Sequence, residues 1–319
     1  MIDLGLNDDQ RQMVESAVGL LEEHSPVSRL RPGGRPRDVQ RELAAWGWFG
    51  VGLPREHGGL GLGIAEETLL AFEAGRFLLS PTVLATTLAA RLCTNERLPE
   101  LLSGETRAAL ALAGPGVVHV FDRGEASLLV VFDAGNVWLA PADAFHGEAV
   151  LGFDDTLSVE RGVVRQEARL AAQSGASARL LVSAMLAGIA RASCDLAVEY
   201  AKVREQFGQP IGAFQAIKHM CADMGLRAYA AEAQVKMAAA AAGDAPEIAA
   251  FQIDAAALTA LRAARDNASD AIQVHGGIGF TAECDAHFYL KRAHVLGQVL
   301  GGTEACRSGV LAHASPEAA

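Results

Sequence analysis

"VREQFGQPIGAFQ", residues 203–215, lies in the alanine-rich second half of a 319-residue chain, and its reading decides the fold. Apolar residues recur at helical spacing from 176 to 206 and again from 214 to 243, so the segment is a break between two long helices, marked by Gly208 and Pro210. The same spacing continues from 245 to 275 and, more briefly, from 282 to 296, which makes residues 169–319 a four-helix bundle. Within the break, Arg204, Gln206 and Gln215 stand polar among apolar neighbours. A guanidinium offers a planar fork of donors suited to phosphate, and a glutamine amide donates and accepts at once. The group therefore suits a pyrophosphate and the sugar or ring edge beside it. It equally suits a helix end whose arginine is solvated.

A second stretch, "QVHGGIGFTAE" at 273–283, sets Gln273 ahead of Gly276 and Gly277 between two helical patterns. Backbone without a Cβ lets a ligand come close, and a diphosphate fits such a turn; Gly-Gly also ends ordinary helices. A dinucleotide-binding strand-turn-helix is excluded, because the spacing is not GxGxxG and a helical pattern precedes it.

Toward the N-terminus, residues 6–24 read as an amphipathic helix with Asn7 or Asp8 placed to cap it and Pro26 past its end. A helix over 39–46 stops at Gly47, and "GLPREHGGLGLG" (52–63) is too rich in Gly and Pro to be regular. Helices follow over 66–77 and 81–92, the latter started by Ser80 and Pro81. Residues 1–104 are thus a helical domain. From 105 to 168 the pattern changes to short apolar runs parted by Gly or Asp, "AALALAG", "SLLVVFD", "NVWLAPA" and "SVERGVV", which read as strands of a small domain with Trp138 in its core. The expected class is mainly α with a small β-domain, without internal repeats.

Taken together, 203–215 and 273–283 resemble the C-terminal domain of the acyl-CoA dehydrogenase family, with its Arg-x-x-Phe-Gly...Phe-Gln element followed by Gln-x-x-Gly-Gly-x-Gly-Phe/Tyr. "WGWFGVGLPREHGGLGLG" (46–63) resembles the family's N-terminal glycine-rich loop, so the likeness covers most of the chain outside its middle. The resemblance implies FAD as cofactor. Arg204, Gln206, Phe207 and Gln215 would contact its adenosine and pyrophosphate part, Gln273, Gly276 and Gly277 would reach a diphosphate across a subunit interface, and Thr303 would close the site. It further implies an acyl-CoA substrate and an electron-transfer flavoprotein as acceptor.

The pattern breaks where the reaction needs a base. Removing the α-proton of an acyl thioester takes a carboxylate, and the family's usual position, before a Gly-Thr pair, falls on Gly301 in "LGGT". The alternative position, on the long helix before the arginine motif, falls on Ala178. Glu304 is a weak candidate, since a Glu in a first helical turn is more often a surface group favoured by the helix dipole. Glu205 and Glu283 read as helix-end carboxylates, and His275 and His287 as packing or hydrogen-bonding residues. The middle domain also reads as truncated, lacking the family's Thr-Glu-Pro segment and Trp-x-x-x-Gly-x-Lys hairpin. These losses beside an intact diphosphate motif point to a homologous partner subunit in an α2β2 heterotetramer. The "HGGIGFTAECDAHFYLKRA" stretch is similar to base-lacking subunits from bacterial steroid side-chain degradation. A homo-oligomer with an atypical base, and a scaffold that has lost FAD, are the other readings.

Composition bounds the partners. A net charge of -11 argues against nucleic acid and anionic membrane surfaces, so an anionic cofactor must be met by particular arginines. The five cysteines lack metal-binding spacing and read as free thiols of a reducing compartment; no metal site is expected. Without a signal-like N-terminus or an uncharged apolar run of about 20 residues, the cytoplasm is the expected location.

Overall fold

The computed structural model describes residues 4–34, 38–93 and 97–313; the outer limits read for the first and last regions, residues 1 and 319, lie outside them. The chain begins with α1 (Asp8–His24), whose cap is Asn7: its side chain accepts from Gln10 N while Gln10 reaches back to Asn7 N. Gln10 Nε2 also donates to Glu66 Oε1 at 2.9 Å, tying α1 to α3 (Ile64–Arg76). Between them lies α2 (Gln40–Trp46), ended by Gly47 in the left-handed region at φ 95°. Next come α4 (Pro81–Leu92), capped by Ser80 as read, and α5 (Leu98–Ser103), which the sequence reading passed over.

The middle domain is larger than the four runs suggested. One mixed sheet of seven strands has the order β5-β6-β2-β1-β3-β4-β7, with β1 Ala108–Gly114, β2 Val117–Phe121, β3 Leu128–Asp133, β4 Asn136–Pro141, β5 Phe145–Val150, β6 Val159–Val164 and β7 Ala171–Ser174. The two outer strands escaped the pattern because "FHGEAV" and "AAQS" are mostly solvent-facing and carry no apolar alternation. β7 carries the sheet past residue 168, where the sequence reading ended it. β1 turns straight into its antiparallel neighbour β2, pairing Gly114 with Val117. Alternation places Leu110, Leu128, Val130 and Leu139 against the helices, while Ala111, Leu129, Val131 and Trp138 build a second core on the other face.

The bundle follows in the second half: α6 (Ala176–Val203), α7 (Gln215–Asp244), α8 (Pro246–His275), α9 (Ala286–Val299) and α10 (Gly302–Ala312). α6 is the one helix among the described residues long and apolar enough by composition to cross a membrane, though Arg179, Arg191 and Asp195 interrupt its apolar run; most of it is buried inside the bundle. It crosses α3 at backbone contact: a Cβ on Gly75 would lie 2.0 Å from Met185 O, and one on Gly188 2.0 Å from Phe72 O. α6, α7 and α8 meet at the buried Asn267, whose Nδ2 donates to Ala190 O and Met224 O at 2.9 Å and whose Oδ1 accepts from Arg227 Nε at 2.8 Å. Arg292 of α9, 2% exposed at its side chain, joins all three regions. It pairs with Asp154 at 2.7 Å and donates to Leu79 O at 2.6 Å and Thr156 Oγ1 at 2.9 Å. Burial and that neighbouring charge push Arg29 down to about 10, while its guanidinium donates to Phe77 O and Leu78 O.

Candidate functional site

Helix α6 stops three residues earlier than its periodicity suggested, because the chain turns back on itself as a hairpin. β8 (Glu205–Gln206) pairs with β9 (Gln209–Pro210), and the two residues between them, Phe207 at φ 53° and Gly208 at φ 80°, are both left-handed. A two-residue turn of that kind favours Asn-Gly; a phenylalanine in it is strained by about 1 kcal/mol. Its ring is nonetheless 93% exposed. Arg204, at the C-cap of α6, Gln206, and Gln215, the first residue of α7, are exposed beside it.

The glycine turn is a short 3-10 helix over Gly276–Phe280 after α8. Gly276 has φ 63° and ψ -139°, a region open essentially to glycine alone. At Gly276 and Gly277 an added Cβ would meet nothing within 4 Å, so the turn presents bare backbone to open space next to the exposed Gln273. Tyr200, one turn before Arg204, stacks on His275, one residue before Gly276, which brings the two motifs to the same end of the bundle. His275 is buried, its Nδ1 2.7 Å from Ala271 O, the structural role its sequence context suggested. Thr303 is not brought to them within this chain. It accepts from Arg265 Nη1 at 3.2 Å, and Arg265 precedes Gln273 on α8 by two turns, about 12 Å.

Gly301 lies elsewhere, on the wall of a cleft of about 720 Å³ between the sheet and the bundle. Its φ of 81° is left-handed, and a Cβ there would come within 2.8 Å of Ala305 Cβ. The sequence reading missed two charged residues of the same cleft, Arg179 of α6 and Asp254 of α8, with Nε 2.8 Å from Oδ1. Arg179 Nη1 also donates to Leu300 O at 3.4 Å, and His313 Nε2 lies 3.0 Å from Asp254 Oδ2. No local signal could reveal them, since the sequence separates them by the whole of α7.

The remaining acid candidates are placed by the structure. Ala178 is 0% exposed and part of the main core. Glu304 sits in the first turn of α10 with its side chain 75% exposed and 2.7 Å from Arg307 Nη2. Glu205 is exposed on the hairpin, and Glu283 lies in an exposed turn ahead of α9 rather than in its first turn. His287, with neither ring nitrogen partnered, has its basicity lowered by burial and by Lys291. Among the described residues no cluster of His, Cys, Asp or Glu could hold a metal, and the cysteines are free.

Comparison with known proteins follows the same division of the chain. The acyl-CoA dehydrogenase N-terminal domain matches residues 7–104 and the C-terminal domain matches residues 168–315. Acyl-CoA dehydrogenase IpdE2 of Mycobacterium tuberculosis is 34% identical, over 92% of this chain and 93% of its own length. Acyl-CoA dehydrogenase FadE34 of the same organism is 37% identical over 84% of this chain, which spans only 40% of that longer protein. Among solved structures, a variant of the Tcur3481-Tcur3483 steroid acyl-CoA dehydrogenase superposes with a TM-score of 0.81 at 24% identity, covering 97% of this chain and 98% of that one. The ChsE4-ChsE5 complex from Mycobacterium tuberculosis superposes with 0.80 at 19% identity, covering 98% and 100%. With both terminal domains matched and a relative that is similar along nearly its whole length, the chain belongs to the acyl-CoA dehydrogenase family.

Proposed function

We propose that this chain is the base-free subunit of a heteromeric acyl-CoA dehydrogenase, an α2β2 assembly with a homologous subunit in the cytoplasm, and that it holds the nucleotide end of FAD. When bound, FAD supplies the hydride acceptor for 2,3-dehydrogenation of an acyl thioester. The residues present fit that cofactor as half of an interfacial site. Arg204 offers a charge-assisted fork to a diphosphate, Gln206, Gln215 and Gln273 offer amides, and bare backbone at Gly276 and Gly277 allows close approach. Thr303 would reach the same cofactor only from another copy or face of the assembly.

One observation carries the assignment: Gly301, not a carboxylate, occupies the position on the cleft wall where the family's usual base would stand. Ala178 cannot accept a proton, Glu304 is turned outward to Arg307, and Asp254 is already engaged by Arg179 and His313. The α-proton therefore passes to the partner's carboxylate. The two-protein Tcur3481-Tcur3483 and ChsE4-ChsE5 structures support such an assembly. The likeness to the first of these, a steroid enzyme, supports a bulky, steroid side-chain acyl-CoA as substrate; an electron-transfer flavoprotein would then receive the electrons.

The test is to purify the chain alone and together with a homologous dehydrogenase encoded beside it, and to record flavin absorbance and its bleaching by acyl-CoA. Flavin and turnover are expected only in the complex. Full loading and turnover by the isolated chain would overturn the reading, and a colourless complex would favour a scaffold that has lost FAD.

A further inference from the structure

Arg179 and Asp254 neutralise each other on the wall of the cleft beside Gly301, each with about a fifth of its side chain still exposed. The space around them is kept open by small residues of the facing segment. Gly301, Ala305 and Gly309 line the cleft, and a Cβ on Gly309 would come within 3.1 Å of all three outer atoms of the Asp254 carboxyl group. Apolar side chains, among them Phe132, Ile253 and Val299, supply the remaining walls.

The chemistry of the charged pair selects what can lie against it. One Asp254 oxygen is ion-paired with Arg179 and the other lies 3.0 Å from His313 Nε2, while Arg179 Nε has no hydrogen-bond acceptor among the described residues and a carboxylate oxygen can accept two donors. A ligand carboxylate would meet Asp254 and, at the mouth, Asp133, which also lines the cleft. A hydroxyl can donate to Asp254 and accept from the guanidinium without bringing any charge into the cleft.

We propose that this cleft binds an uncharged, largely apolar molecule bearing a hydroxyl group, which it holds and does not transform. This rests on the reading of Gly301 as a position without a base, since a ligand seated there is retained rather than dehydrogenated.

Octanol and octanoate, which share one apolar tail and differ in their polar ends, test it by calorimetry on the full chain. Octanol is expected to bind with a Kd about tenfold or more below that of octanoate. Asp254→Asn should bring octanoate close to octanol by removing the repelling charge. Ala305→Leu, at an exposed helix position, should fill the cleft and abolish binding of both while circular dichroism is unchanged. Octanoate binding as tightly as octanol, octanol binding that survives Ala305→Leu, discrimination unmoved by Asp254→Asn, or no octanol binding at all would each overturn the proposal. Neither flavin nor thioester enters the measurement, so a colourless complex, which sinks the flavin reading, leaves this result intact.

Discussion

The rings of Tyr200 and His275 are stacked with centroids 4.2 Å apart and planes 22° apart, joining the helix that leads into the arginine hairpin to the helix that leads into the glycine turn. Such a pair contributes about 0.5–1.5 kcal/mol beyond the area it buries. Tyr200→Ala is expected to lower stability by about 1–3 kcal/mol in urea unfolding and, by loosening both motifs at once, to lower the flavin content of the purified complex. A complex that keeps full flavin would count against a shared site.

Phe207 separates folding from function. Glycine accepts φ 53° freely, so Phe207→Gly should leave the isolated chain as stable or raise its stability by about 0.5–1 kcal/mol. The same change should weaken flavin retention in the complex. A clear loss of stability in the isolated chain would mean that the ring belongs to the fold.

The base cannot be put back by one substitution. Gly301→Glu forces a side chain into the left-handed region and against Ala305, so unfolding should become easier by about 1–2 kcal/mol, with no turnover by the isolated chain. Glu304→Gln, in contrast, should change neither stability nor acyl-CoA-dependent flavin bleaching of the complex, because its carboxylate faces solvent and Arg307. Abolished bleaching would restore Glu304 as the base.

Asn267 is the polar knot of the bundle. Asn267→Ala removes the side-chain donor to two buried helix carbonyls and the acceptor of Arg227 Nε, while Arg227 Nη2 keeps Asp270, an expected loss of about 2–4 kcal/mol, read as a lower urea midpoint.

Acid should loosen α9. His287 and His294 are both held below the ordinary histidine value, first by burial. Below pH 6.5 the unfolded chain takes up protons that the folded chain resists, so their contribution is intact above 6.5 and is lost as pH falls toward and through their depressed values. Urea midpoints at pH 7.5 and 5.5 should show a smaller drop for His287→Leu than for the parent chain; an identical drop would remove His287 from the account.

How much of this could be read from the residues follows from how local each signal is. Helices α1, α3, α4 and α6 to α9 announced themselves because a long apolar stripe repeats many times, and Asn7 and Ser80 marked starts within one turn. β5 and β7 did not, since edge strands face water and need no alternating pattern. The first strand of the hairpin, Glu205–Gln206, was assigned to the helix because it prolongs the periodicity; Gly208 and Pro210 marked a break, and only the Gln206 to Gln209 pairing reveals the turn. Exposed polar groups near glycines were visible as a motif. The Arg179 and Asp254 pair was not, as its meaning arises only when α6 and α8 lie side by side.

The backbone contacts of Gly75 with Met185 and of Gly188 with Phe72 bear on motion. Where two helices touch main chain to main chain, sliding or prising them apart exposes peptide groups at once, so α3 and α6 travel as one body. The N-terminal helices are thereby harnessed to the bundle, and the cleft beside Gly301 is bordered on its other side by the β1–β2 and β3–β4 tips of the sheet.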